Sequence, residues 1–150
     1  FKQVNDALGH DMGDLLLVEF ARRLCAVVRG SDTVCRQGGD EFVVLLAGPS
    51  DADHTALVAE KILITCDTPF DLQGHSVRVG VSGGIALYPA HGEGYEELSR
   101  HADAAMYAAK RNGRGRFYLY TSAQTAPMCV FERTPQQDKD AATAPASGAS

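Results

Sequence analysis

The stretch RQGGDEFVVLL, residues 36 to 46, constrains the fold more than any other part of the chain. Two strand-like runs, Thr33–Gln37 and Glu41–Ala47, are parted by the pair Gly38-Gly39. Glycine reaches backbone angles closed to other residues, so two such runs joined by a glycine pair fold back on each other as a tight β-hairpin. A buried strand has no need of acids at its entrance. Asp40 and Glu41 therefore stand at the mouth of the hairpin for another reason, beside backbone that a ligand approaches without meeting a Cβ. Paired carboxylates at such a gap suit a divalent cation bound to a polyphosphate, because Mg2+ takes one or two carboxylates and fills its shell with phosphate oxygens and water. A solvated hairpin with acids for solubility explains the same residues equally well.

The remaining pattern supplies helices and further strands. Leu17, Ala21, Leu24 and Val28 recur at helical spacing and predict a helix over Asp11–Val28, with Asp11 and Asp14 in its acidic first turn and Gly30 as its stop. A second helix is predicted over Ala52–Cys66, ended by Thr68-Pro69. Val77, Val79 and Val81 alternate with polar or small residues and predict a half-buried strand over 75–89, with Gly83-Gly84 as a bulge or a close backbone contact. A third helix covers Tyr95–Lys110, with Met106 and Tyr107 expected in the core, and residues 117–120 form a last strand. The order gives an α+β fold, a mainly antiparallel central sheet flanked by helices. Residues 1–120 form one domain. Residues 121–150 are rich in Ala, Thr, Ser, Pro and Gln and are expected as a disordered tail, with Val130-Phe131 as a weak docking point.

Composition excludes several classes. The 150 residues suit one domain; 45% are hydrophobic and 22% charged, the balance of a globular protein, and the net charge of -5 argues against nonspecific nucleic-acid binding. No apolar run approaches the roughly 18 residues of a membrane helix. Cys25, Cys35, Cys66 and Cys129 lack CxxC spacing, which argues against a zinc site and for a reducing, cytoplasmic setting. The chain opens on Phe1 without a signal peptide, and a native N-terminus is expected upstream.

Three segments resemble one family. RQGGDEF resembles the signature of the GGDEF family, the diguanylate cyclases; FKQVNDALGHDMGD resembles its substrate-binding segment, and RHADAAMYAAKRNGRGR its phosphate-binding helix end. The resemblance covers about residues 1–120 and implies a nucleotidyl-cyclase-like domain that condenses two GTP into cyclic di-GMP. By this resemblance Asp40 is a ligand of Mg2+ or Mn2+, Glu41 completes the acidic pair, and Lys2 stands near the reacting phosphorus. Gly38 and Gly39 pack on the nucleotide, Asn5 and Asp14 read the guanine edge, His10 shapes the site, and Lys110 and Arg114 hold phosphate charge. Arg29 and Asp32, an R-x-x-D pair ahead of the glycines, match the inhibitory product site.

Each role has a plainer rival. Asn5 and Asp14 serve equally as loop and cap residues, Lys110 and Arg114 as cations at a helix end, and Arg29–Asp32 as a turn salt bridge. The resemblance also implies a homodimer, a bacterial signalling role and a cytoplasmic location, leaving open an upstream membrane anchor. In the family, a strand ending in a metal-binding Asp precedes the position of Phe1, so the chain is expected to be truncated at its N-terminus and inactive alone. A non-catalytic cyclic di-GMP receptor and a GTP-binding regulatory domain are the competing readings.

Overall fold

The computed structural model describes residues 1–48, 51–122 and 128–132, the last five as backbone. Its elements run α1 (Lys2–Leu8), α2 (His10–Val27), β1 (Thr33–Gly38), β2 (Glu41–Leu45), α3 (Ala52–Asp67), β3 (Phe70–Leu72), β4 (His75–Val77), β5 (Gly83–Ile85), α4 (Tyr95–Arg111), β6 (Arg116–Leu119) and β7 (Met128–Glu132). The α+β class and the three long helices agree with the sequence pattern. Among the described residues no helix is long and apolar enough to cross a membrane.

Among the described residues the strands form three small sheets rather than one. β1 pairs with β2 and β3 with β4, both antiparallel, while β5 and β6 run parallel and β6 pairs antiparallel with β7. β2 and β5 each have one paired side among the described residues. The single strand expected over 75–89 is therefore two strands with different partners. β4 turns back on β3 through Gln73 and Gly74, whose φ angles of 53° and 88° give the left-handed pair that a tight hairpin needs. β7 corrects the disordered reading for five residues of the tail: Phe117 pairs with Phe131 and Leu119 with Met128. Averaging the composition over thirty residues hides a short β-prone run whose backbone groups pair with β6. Residues 123–127 and 133–150 of the tail lie outside the described set.

α2 buries Leu16, Leu17 and Leu24, the face its spacing predicts. Leu16 packs with Val4, Phe70 and Leu72, and Leu24 packs with Ile62 and Cys66 of α3. Each such aliphatic or aromatic side chain contributes roughly 1.5–3 kcal/mol when fully buried. Burial also pushes the Cys66 thiol up to about 11, so it acts as a small apolar group. Arg23 joins these layers. Its guanidinium lies 3.6 Å from the ring centre of Phe70 and donates to the carbonyls of Thr65 at 3.0 Å and Pro69 at 2.8 Å, closing the C-terminal end of α3.

α4 packs across β5 and β6 through Ala105 and Ala109, both fully buried. The contact is close because β5 begins with two glycines. A Cβ added at Gly84 would collide with the backbone of Ala102 and Met106, and one at Gly83 with the Phe117 ring. Of the two expected explanations for this pair, close backbone contact is the one observed. Tyr107 does not enter the core. It is 63% exposed and lies against Arg111, because the buried stripe of α4 is narrow and small. The loop before α4 is tied by His91, which accepts from the Leu87 N–H at 2.9 Å, and by His101, which bonds the His91 carbonyl at 2.6 Å.

Candidate functional site

The β1–β2 turn is an open tip. Gly38 and Gly39 have φ angles of 152° and 51°, and the register shifts between Arg36 and Gly38 before Gly38 pairs with Glu41. Only glycine adopts both angles without strain. The backbone there is accessible, since a Cβ added at either position would meet nothing within 4 Å. Arg36 holds the shape by donating from Nε to the Gly39 carbonyl at 2.8 Å, a role its place inside the motif did not disclose. Beyond the tip, Gln37 donates to the Tyr95 hydroxyl at 3.0 Å. The hydrophobic strand behind it is less buried than its letters suggest: Phe42, Val43 and Val44 are half-buried and Leu45 is 49% exposed.

Asp40 and Glu41 are exposed at this tip. Their oxygens are hard donors of the kind Mg2+ prefers, and the open backbone beside them leaves room for phosphate oxygens to complete the shell. Among the described residues no three His, Cys, Asp or Glu side chains converge on one metal position. Two exposed carboxylates beside open backbone are a donor set of the size that a metal–phosphate unit uses.

The α1–α2 corner gathers a second group. Gly9, with φ 92°, reverses the chain between the two helices. Asn5 on α1 packs against Gly13 of α2, so closely that a Cβ at Gly13 would collide with Asn5 Oδ1. That oxygen is buried and has no hydrogen-bond partner among the described residues. Asp14 follows Gly13 directly and is exposed, as is His10 at the first residue of α2. The Asn5 oxygen thus faces α2 at Gly13, while the Asp14 carboxylate is open to solvent. Lys2 opens α1 and is exposed.

Lys110 lies in the last turn of α4, and Arg114 follows in a left-handed conformation with φ 61°. The Arg114 N–H bonds the Ala109 carbonyl at 3.1 Å, which closes the helix end. Among the described residues no bond links either cation to the Gly38–Glu41 tip. The tip touches Tyr95, at the other end of a helix of 17 residues, roughly 25 Å long.

Arg29 and Asp32 form no side-chain ion pair. Asp32 accepts from the Arg29 backbone N–H at 2.8 Å with one oxygen and from the Ala47 N–H at 2.9 Å with the other. These two backbone donors, Arg29 first, hold its carboxyl below the usual carboxylate range. The Arg29 guanidinium instead reaches His54 on α3, Nη2 to Nε2 at 3.2 Å, a neighbour that nothing in the R-x-x-D spacing announces.

With this geometry in place, comparison with known proteins is decisive. The family model for the diguanylate cyclase GGDEF domain matches residues 1–116. The chain belongs to the GGDEF family. Among relatives of this GGDEF domain, the bifunctional diguanylate cyclase/cyclic di-GMP phosphodiesterase MucR of Pseudomonas aeruginosa is 48% identical over 126 residues, 84% of this chain. The match spans 18% of MucR's own length. The crystal structure of the GGDEF domain of PA1120 (YfiN or TpbB) from Pseudomonas aeruginosa superposes with a TM-score of 0.78 at 41% identity, covering 81% of this chain and 76% of that one. The coiled coil and GGDEF domain of DgcB from Caulobacter crescentus, solved in complex with c-di-GMP, gives a TM-score of 0.68 at 28% identity over 79% of this chain and 63% of that one.

Proposed function

We propose that this GGDEF domain is the catalytic part of a diguanylate cyclase that joins two GTP molecules into cyclic di-GMP. The observation that carries the reading is the open Gly38–Gly39 tip with Asp40 and Glu41 on it, in a chain 48% identical to a relative named as a diguanylate cyclase. Each 3′-hydroxyl attacks the α-phosphorus of the other GTP. One P–O bond forms and one breaks at each centre, the hydroxyl proton leaves to a base, and two pyrophosphates depart. Such chemistry depends on placement and charge neutralisation.

The residues divide that work. Asp40 would hold Mg2+ or Mn2+ on the side of the attacking hydroxyl, with Glu41 adding negative charge. The ion, when bound, neutralises triphosphate charge. Gly38 and Gly39 admit the nucleotide to the backbone. Asn5 and Asp14 take the guanine edge, His10 shapes that corner, and Lys2 lies by the α-phosphate. For Lys110 and Arg114 the phosphate role rests on the motif alone. Arg29 and Asp32 bind the product and slow the enzyme; the c-di-GMP complex of the DgcB relative supports product binding within the family.

The test is to incubate the full-length protein carrying this domain with GTP and Mg2+ and to measure cyclic di-GMP. Asp40→Asn should fold normally and lose on the order of a hundredfold in rate, the loss of at least ~3 kcal/mol of charge stabilisation. No product from the wild type, or full activity in Asp40→Asn, would reject the assignment.

A further inference from the structure

We propose that His54 is a third member of the product-binding site, a proton-operated tether that holds Arg29 away from cyclic di-GMP when neutral and releases it when protonated. The inference rests on the reading of Arg29 and Asp32 as a product site and adds its regulation.

The geometry assigns the proton. A guanidinium only donates, so the 3.2 Å contact from Arg29 Nη2 requires a lone pair on His54 Nε2. Only the neutral ring with its proton on Nδ1 offers that lone pair. In this state one arm of the Arg29 fork is occupied. Protonation converts Nε2 into a donor, the contact becomes a repulsion between two cations, and the guanidinium is freed. The released fork matches a phosphodiester, and the imidazolium adds a second positive charge beside it.

The surroundings fix the direction of the effect. Arg29 and Asp32 face His54 from the loop after α2, and Asp51 and Asp53 lie at the start of α3 with it. Asp32 is spent on two backbone N–H groups, and Asp51 accepts from the Asp53 N–H at 2.9 Å, so both carboxylates are already engaged in shaping their loops. Asp32, with its pKa lowered, stays ionised across the range in which histidines titrate. The dinucleotide's phosphodiesters keep their charge there too. In this proposal the change that frees Arg29 is proton uptake by the His54 ring, and acidification tightens product binding.

The experiment is calorimetric titration of the full-length protein with cyclic di-GMP between about pH 8 and about pH 5.5. Wild type should tighten by roughly threefold to fivefold on acidification, the scale of one exposed ionic contact. His54→Gln should bind with a flat profile, and Arg29→Ala should bind poorly throughout. A flat wild-type profile, or the same slope in wild type and His54→Gln, overturns the tether and leaves the product site standing. Equal binding by Arg29→Ala and wild type removes the product site and the tether together.

Discussion

Asn5 keeps a buried acceptor that no described residue satisfies. Such an atom costs the fold about 1–3 kcal/mol, and under the proposed guanine role a shift of this side chain toward the nucleotide would recover it. Stability and function should therefore separate at this position. Asn5→Ala is expected to melt at or above the wild-type temperature and to raise the KM for GTP by on the order of tenfold, one hydrogen bond's worth. A marked fall in melting temperature with unchanged KM would make Asn5 a packing residue. Asp32 is its opposite, an acid whose oxygens each already accept from a backbone N–H group and whose loop is thereby held in shape for the proposed product contact.

At the scale of elements, the critical junction is β5 against α4. Gly84→Ala places a methyl group against helix backbone, which cannot rotate aside, whereas a Cβ at Gly80 meets nothing within 4 Å. Denaturant titration should show Gly84→Ala destabilised by about 2 kcal/mol or more and Gly80→Ala near neutral. Equal values for the two would mean that α4 shifts freely on β5. The glycine pair, the three long helices and the β1–β2 hairpin were legible because each follows from spacing within one segment. The β3–β4 hairpin was missed although Gln73-Gly74 marks it, since the valine alternation from 77 to 81 reads as one continuous strand. β7 was missed because a strand defined by its partner leaves little trace in local composition. At the site, the Gly38–Gly39 turn was legible in the motif, whereas α1 was not read as a helix, and Arg36 on Gly39 and His54 on Arg29 depend on side-chain directions that spacing does not encode.

Among the described residues one Gly-Gly tip carries paired acids, and a product made from two GTP molecules needs two such sites. A two-fold pairing that sets the tips face to face is the simplest assembly that supplies both. Specific activity of the full-length protein should rise with its concentration and then level off, tracking dimer content by light scattering. Constant specific activity in a species that stays monomeric would contradict the pairing.

Arg23 has a consequence for chain length. By binding the carbonyls of residues 42 to 46 positions further on, it pins together the two ends of a long excursion that contains β1, β2 and α3. The ends are held whatever the excursion contains. Lengthening it costs only the slow logarithmic growth of closure entropy, about 0.6 kcal/mol per doubling. The excursion is in effect a cassette: material added in the connection between β2 and α3 is absorbed there, and the helix layer that carries Asn5 and Asp14 keeps its shape.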